Sequence, residues 1–504
     1  MMQDKIKAAF RLNGGLGTYL MEENFIQYFY DAFPDLLSIT VYGENSTAIN
    51  EGIFRGQYFI DQYFPRSMFR SDGYDLVVDI NWFPKVMKAD VKKIRAASAR
   101  MGTVVDSWIS FCNDPDLRHL AEISSLYDPN IYTYAIARGQ TRLTVCDIGG
   151  HLGVRRDYRL KIGINEDEAQ VLQRFGLTSG NYITMQQGVN SKCRTSDSPR
   201  QWPNGYYGEF CRIMKGYFPD IVLVQLGELD NNRPIDGIDR CLLGETGFEE
   251  LKVLLKHARV HIDGDCGMVH LRKALHGGTS VVLYGQTSAQ VLGYDDDINL
   301  TSHACKHWCG KTFDAWKRRC FIADKPLCME AITPQHVADT VKAHLLGTYV
   351  EPKKQTVLQR LLTDPTIKLD PEWVDNWLGQ RTIHAYWLEK VKIRDLAGFK
   401  LTSGGYVRVP IQEMPAYEYL LGDRQCYVDY MALNDQYNPG HEHSVERFEA
   451  LIDSFRRGLD EQYYPAVDGT DRILDGAHRA CWLAYRKGLD AEITVLKLYG
   501  DWRL

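Results

Sequence analysis

"ARVHIDGDCGMVHLRKALHGGTSVVLYGQTS", residues 258–288, decides how the chain folds. An apolar run through Val260 and Ile262 ends in the polar turn Asp263-Gly264-Asp265-Cys266-Gly267. A helical pattern starts near Met268, and a second apolar run, Ser280–Tyr284, follows. Strand, helix and strand in that order imply a parallel pair joined by a crossover helix. The turn places Asp265 and Gly267 at a helix start, where exposed amides favour an anion and glycine lets a phosphate approach the backbone. The same spacing also suits an aspartate that only caps the helix.

Working outward, "YITMQQG" (182–188) and "DIVLVQLG" (220–227) read as further strands, and "GFEELKVLLKHA" (247–258) as a helix. Near the start, "AAFRLNGGLGTYLMEENFIQYFYDAFPD" (8–35) reads as a strand, a glycine turn at Gly14-Gly15-Leu16-Gly17, and an amphipathic helix ending near Pro34. "LSITVYG" (37–43), "YDLVVDINWF" (74–83) and "MGTVVDSW" (101–108) supply three more expected strands. The expectation is an α/β chain with two tandem Rossmann-like domains, residues 1–165 and 166–350, and a ligand cleft between the carboxyl ends of their strands. Residues 351–394 are mixed and charged and read as a helical linker. Residues 395–504 read as a small α/β module: the entry strand in "YVRVPIQEMPAYEYLLG" (406–422), a helix "SVERFEALIDSFRRG" (444–458), the loop in "RILDGAHRACWLAYRKG" (472–488) and a closing strand "AEITVLKLYG" (491–500). No internal repeat stands out.

The 504 residues are 44% hydrophobic and 25% charged, an ordinary globular composition, with a net charge of −6. That balance gives no basic field for nucleic acid, so no nucleic-acid partner is expected. No window reaches 18 consecutive apolar residues, and Met1-Met2-Gln3-Asp4-Lys5 lacks the apolar core of a secretion signal. A cytoplasmic protein is expected, with the inner face of the cytoplasmic membrane as a peripheral contact and self-association left open.

Most of the twelve cysteines are scattered singly through apolar segments. Cys305, Cys309, Cys320 and Cys328 are not. Two close pairs on one short excursion suit a soft metal held by four thiolates, a structural site with no open position, for which His303 or His307 would be substitute ligands. Buried free thiols are the alternative. In the last module, Asp475-Gly476 leads from a strand into a helix, so amides near Gly476 and His478 can accept phosphate and Arg479 can add charge. Asp475 would hold magnesium or orient a hydroxyl.

Residues 8–346 resemble the lipopolysaccharide heptosyltransferases of glycosyltransferase family 9, which have the GT-B fold. The likeness is carried by Asp265-x-Gly267-x-x-His270-Leu271, Ala274-Leu275, the strand to Gly285, "LLGETGFEELKVLLKHARVHI", the Gly14–Gly17 turn and "CMEAITPQHV". It implies that Asp265 and Gly267 hold the sugar or diphosphate of an activated donor and that His270 steadies the loop. Arg200, in Arg200-Gln201-Trp202-Pro203, would offset the leaving diphosphate's charge where the family usually has lysine; a surface arginine is the plainer reading. Glu228 would contact the donor, with Gly17, Gln187 and Gly188 lining the cleft. The family's aspartate after the glycine turn is replaced by Thr18, which cannot deprotonate a hydroxyl at neutral pH. Asp106, at the end of the expected strand 101–106, is the preferred catalytic base, with Glu22 the other candidate.

A cysteine finger similar to 305–328 binds iron in the autotransporter heptosyltransferase branch, which implies iron, with zinc left open by thiolate geometry. Residues 405–498 resemble the ParB/sulfiredoxin-like nucleotide-binding superfamily through "VRVPIQEMPAYEYLLG" and "LDGAHR". That resemblance implies ATP with magnesium at Asp475, Gly476, His478 and Arg479, and a catalytic glutamate at Glu418. The combined expectation is a glycosyltransferase moving a heptose-like sugar from a nucleotide donor, of the ADP kind, to a glycan or protein acceptor, with a C-terminal domain able to bind ATP and phosphorylate a sugar. The alternative is a nucleotide-binding, regulatory or docking protein without turnover.

Overall fold

The computed structural model describes residues 5–122, 129–187, 198–229, 232–302, 304–305, 319–320, 323–351, 356–437, 444–500 and 502. The chain forms two compact units, the first drawn mainly from residues up to Glu351 and the second mainly from Pro352–Leu504.

The first unit contains two sheets. The amino-terminal sheet uses β1 (Ile6–Leu12), β2 (Leu37–Gly43), β3 (Gln62–Pro65), β4 (Leu76–Ile80) and β5 (Pro84–Ala89) in the order β3-β2-β1-β4-β5, parallel except for β5. The second uses β6 (Tyr182–Gln186), β7 (Val222–Leu226), β8 (Arg240–Cys241), β9 (Val260–Gly264), β10 (Ser280–Tyr284) and β11 (Ile298–Thr301) in the order β11-β10-β9-β6-β7-β8, all parallel. Parallel strands covered on both faces must be apolar almost throughout. Ile6, Ala8, Ala9, Phe10 and Leu12 of β1 and Val281, Val282, Leu283 and Tyr284 of β10 are accordingly buried. Strand order reverses beside β1 and beside β6, and at such switch points loops leaving the carboxyl ends open a crevice.

Residues 101–108 are not a strand. Ala99–Asn113 is a helix, capped where Ser98 Oγ accepts from the Met101 amide at 3.2 Å. Met101, Val104, Val105, Trp108 and Phe111 are buried at helical spacing, so tertiary packing on one face outweighs the local β preference of Val104-Val105. Asp106 therefore stands at no strand end. It lies on that helix, pairing with Arg95 Nη2 at 2.6 Å, both side chains exposed. It has no strand-end position from which to act as the expected base.

The second unit has a four-stranded sheet, β12 (Ile383–Lys392), β15 (Ala466–Val467), β16 (Ile473–Asp475) and β17 (Glu492–Gly500), in the order β12-β17-β15-β16. A separate hairpin joins β13 (Ala397–Thr402) to β14 (Gly405–Pro410). The stretch expected as a helical linker is helical only in part, at Val357–Leu362 and Pro371–Asn376. Its end is the ten-residue strand β12, antiparallel to β17. Trp387 and Val391 of β12 are buried, Tyr386 and Leu388 pack against a second cluster, Glu389 is half-buried beside Lys497, and only Lys390 and Lys392 are exposed, so the strand is covered on both faces and its charged residues obscure it. Tyr427, Phe448, Trp482, Ile493 and Val495 centre this unit's core.

Candidate functional site

Helix Leu16–Ala32 follows the glycine turn after β1, and helix Gly267–Ala274 follows the turn after β9. Neither has a side-chain cap. The two amino ends meet. A Cβ added at Gly17 would fall 2.2 Å from His270 Cδ2, and one at Gly267 would fall 3.2 Å from Leu16 Cβ. Glycine is required at 17 because the imidazole occupies that space, and at Gly14 because φ is +108°. Each amino end carries roughly half a positive charge, so their junction favours an anion.

Asp265 lies at this junction and is nearly buried. Arg200 Nη2 is 2.5 Å from the Asp265 carbonyl oxygen and 3.6 Å from Oδ2, and His270 Nε2 is 3.7 Å from Oδ1. Burial by itself would raise the Asp265 carboxyl, but His270, the Arg200 charge and Thr287 more than offset it and hold the group below its usual range. It is a fixed anion. His270 is in turn fixed by Tyr294, whose hydroxyl lies 2.8 Å from Nδ1.

Arg200 is delivered by a rigid support. Trp202 is buried, donates from Nε1 to the Ile332 carbonyl at 2.6 Å and packs edge-on against Tyr206 and Tyr207. A Cβ at Gly285 would fall only 1.9 Å from the Pro199 carbonyl oxygen, so glycine is required there for the segment to seat, and one at Gly264 would be tight at 3.2 Å from the Arg200 carbonyl oxygen. Beneath the loop, Cys266 donates to Asp263 Oδ2 at 2.6 Å, Gly264 N–H donates to Oδ1 at 2.7 Å, and His261 Nε2 lies 3.3 Å from Oδ2.

Arg200, Asp265, Gly267, His270 and Gly17 thus come together. Gln187 is engaged elsewhere: it is buried and bridges Asn204 Oδ1 (3.0 Å) and the Arg233 amide (3.5 Å). Glu228 follows β7 with an exposed side chain, and Gly188 lies outside the described residues. Sequence reading missed Tyr294 and Thr287, which come from loops with no pattern of their own. It also missed Asp263, for which the Asp-Gly-Asp triplet was the available signal.

Of the cysteines, Cys309 lies outside the described residues, as do His303 and His307. Burial pushes the Cys328 thiol up to about 11, and the nearness of Cys305 and Cys320 adds to this. Among the described residues no group of three or more ligand-type side chains stands ready to hold a metal.

In the second unit Gly476 adopts φ +77° and starts the uncapped helix Ala477–Lys487. Asp475 precedes it, its carboxyl raised by burial. Arg479 Nη1 is committed to the carbonyls of Asp460 (2.7 Å) and Tyr463 (2.8 Å), and His478 Nε2 lies 2.9 Å from the Tyr427 hydroxyl. Glu418 accepts from the Cys426 thiol at 2.6 Å and faces Lys400 Nζ at 3.5 Å.

The model of glycosyltransferase family 9 (heptosyltransferase) matches residues 183–319. No curated protein matches the chain. Solved structures similar to it include an Escherichia coli ADP-heptose LPS heptosyltransferase II (15% identity, 68% of this chain and 99% of that one, TM-score 0.43). A family 9 glycosyltransferase from Veillonella parvula is similar at 14% identity over 69% and 99% of the two chains, TM-score 0.43. The iron-containing dodecameric glycosyltransferase TibC from enterotoxigenic E. coli is similar at 14% identity over 69% and 79%, TM-score 0.45. No described helix is long and apolar enough to cross a membrane.

Proposed function

We propose that the first unit is a glycosyltransferase that takes a heptose-like sugar from a nucleoside diphosphate donor, of the ADP kind, and delivers it to a hydroxyl of a glycan or protein. The observation that carries this is the meeting of two uncapped helix amino ends beside the Arg200–Asp265 pair. A diphosphate seated there would find backbone amides from both sides and the guanidinium of Arg200, which offsets the charge that grows as the bond to the anomeric carbon breaks. Asp265, kept ionised, accepts hydrogen bonds from sugar hydroxyls and orients the ring. His270 and Tyr294 hold Asp265 and the loop in place. Mass spectrometry of products from a panel of nucleotide sugars tests the reading. Tight nucleotide binding with no sugar release or transfer from any donor would support the non-catalytic alternative instead.

Cys305, Cys309, Cys320 and Cys328 would hold one iron or zinc in a structural role. The support is the donor chemistry: the thiol of half-buried Cys328 is raised beside Cys305 and Cys320, a setting in which a nearby cation favours the thiolate. Elemental analysis is expected to find about one iron or zinc per chain and its loss in Cys309→Ser plus Cys320→Ser, with proton release on rebinding. Metal-free protein of unchanged stability would refute the site.

For the second unit we propose ATP with magnesium at the Asp475-Gly476 turn, the sugar phosphorylation that would follow being assigned to Glu418 as base. Because Arg479 is committed to two carbonyls, the phosphate contacts fall to the helix amides around His478 more than to Arg479. Asp475→Ala is expected to abolish heat of ATP–magnesium binding while transfer by the first unit persists. Arg479→Ala is expected to lower the melting midpoint of this unit, since Asp460 and Tyr463 lose their tie. Wild-type protein with neither ATP binding nor phosphate transfer would reduce the unit to a docking module.

A further inference from the structure

A second charged pair stands beside the glycine turn. Arg66, just after β3, donates to the Leu12 carbonyl at 3.2 Å and to Asn13 Oδ1, and its Nη1 lies 3.1 Å from Glu44 Oε1. Glu44 directly follows β2, and its amide donates to the hydroxyl of Tyr19, in the first turns of the helix that leaves the glycine turn. The turn from Asn13 to Thr18 is therefore met by the Arg66–Glu44 pair at Asn13 and, at Gly17, by His270, which faces Asp265.

Transfer to a hydroxyl releases a proton that needs an acceptor near neutral pH. Thr18 cannot take it, and Asp106 lies within the helix Ala99–Asn113 and not at a strand end. Glu22 has no exposed side-chain surface and is paired with Arg142, and Glu23 is fully buried. Asp79 is 19% exposed and paired with Arg11 at 2.8 Å. Asp265 is engaged by Arg200 and His270. Glu44 is 52% exposed, with Oε1 3.1 Å from Arg66 Nη1, at the carboxyl end of β2 beside the turn.

We propose that Glu44 is the general base of the transfer, a role that rests on the glycosyltransferase reading. The acceptor oxygen attacks the anomeric carbon, and the bond from that carbon to the diphosphate oxygen breaks with its electron pair going to the phosphate. The hydroxyl proton passes to Glu44, whose carboxylate Arg66 orients, and then to water.

The experiment uses the full chain and whichever nucleotide sugar the wild type hydrolyses, with water as acceptor. Glu44→Gln is expected to lower turnover by about 10² with ADP affinity by calorimetry and melting midpoint unchanged. In Glu44→Ala, sodium azide, a nucleophile that needs no deprotonation, is expected to restore turnover and give a glycosyl azide detectable by mass spectrometry. Asp106→Ala is expected to match the wild type. Full turnover in both Glu44 variants, or a slow Glu44→Ala that azide does not restore, overturns the assignment. Wild-type protein that turns over no nucleotide sugar overturns the transferase reading itself, and the role of Glu44 with it.

Discussion

Asp265→Ala and Arg200→Ala are each expected to lower sugar transfer by about 10² to 10³, the cost typical of removing one charged contact to a transition state. For Arg200 the loss should fall mostly on the rate of bond breaking. Its guanidinium sits 3.6 Å from Asp265 Oδ2 at the mouth of two helix amino ends, where a further negative charge would develop on the diphosphate as the sugar leaves. Arg200→Lys should recover part of it, because a point charge returns without the two-pronged geometry. For Asp265 the loss should appear in sugar discrimination as well, because its carboxylate is held ionised by His270, Arg200 and Thr287 against the effect of burial. Each change also leaves a nearly buried charge without its partner and should lower the melting midpoint, so the kinetics are compared at a temperature where both variants remain folded. Steady-state kinetics on the donor that wild type uses would check both. Unchanged transfer in both variants would remove this site from the chemistry.

Arg142→Met is expected to destabilise the first unit by about 3–5 kcal/mol, the usual consequence of leaving a buried charge without its partner. Arg142 Nη2 is 3.3 Å from Glu22 Oε1 and 3.2 Å from the Asn81 carbonyl, and its guanidinium lies 4.7 Å from the Trp82 ring centre. Both charged side chains are almost wholly removed from water. Burial pushes the Glu22 carboxyl well above its usual range, and Arg142 is the chief opposing influence. A carboxyl whose folded pKa exceeds its unfolded value makes the folded state bind the proton more readily, so its contribution to stability is greatest below the unfolded pKa and falls as pH rises through the folded one. Removing Arg142 enlarges that upward shift. The gap between wild type and variant in urea unfolding should therefore be wider at pH 8 than at pH 5. An equal gap at both would show that Glu22 does not respond to Arg142.

Several features are readable from the sequence because they depend on near neighbours. The strand ending at Gly264, the turn at Asp265 and the helix from Gly267 follow from apolar period and glycine placement within one short stretch. The pairing of this turn with Gly14–Gly17 was legible only as a likeness. The misreading at 101–108 came from judging Val104-Val105 by β preference when the wider spacing of Met101, Val104, Trp108 and Phe111 is helical. The same error hid β12 inside a charged segment, because one partner strand, β17, lies about a hundred residues further on.

The sequence alone determined the strands and helices that flank the two glycine turns, the turns themselves and the residue types available to a diphosphate, since each is set by backbone sterics and local hydrophobic period. Tertiary structure decided which carboxylates are buried, which are exposed and which cation each one meets. Glu22, Glu44, Asp79 and Asp106 are indistinguishable as letters in a sequence. Arg142 with burial, Arg66 with exposure, Arg11 on a sheet face and Arg95 on a helix surface give them four different environments. A carboxyl's charge depends on desolvation and on partners brought from distant positions, and neither is encoded in its immediate neighbours along the chain.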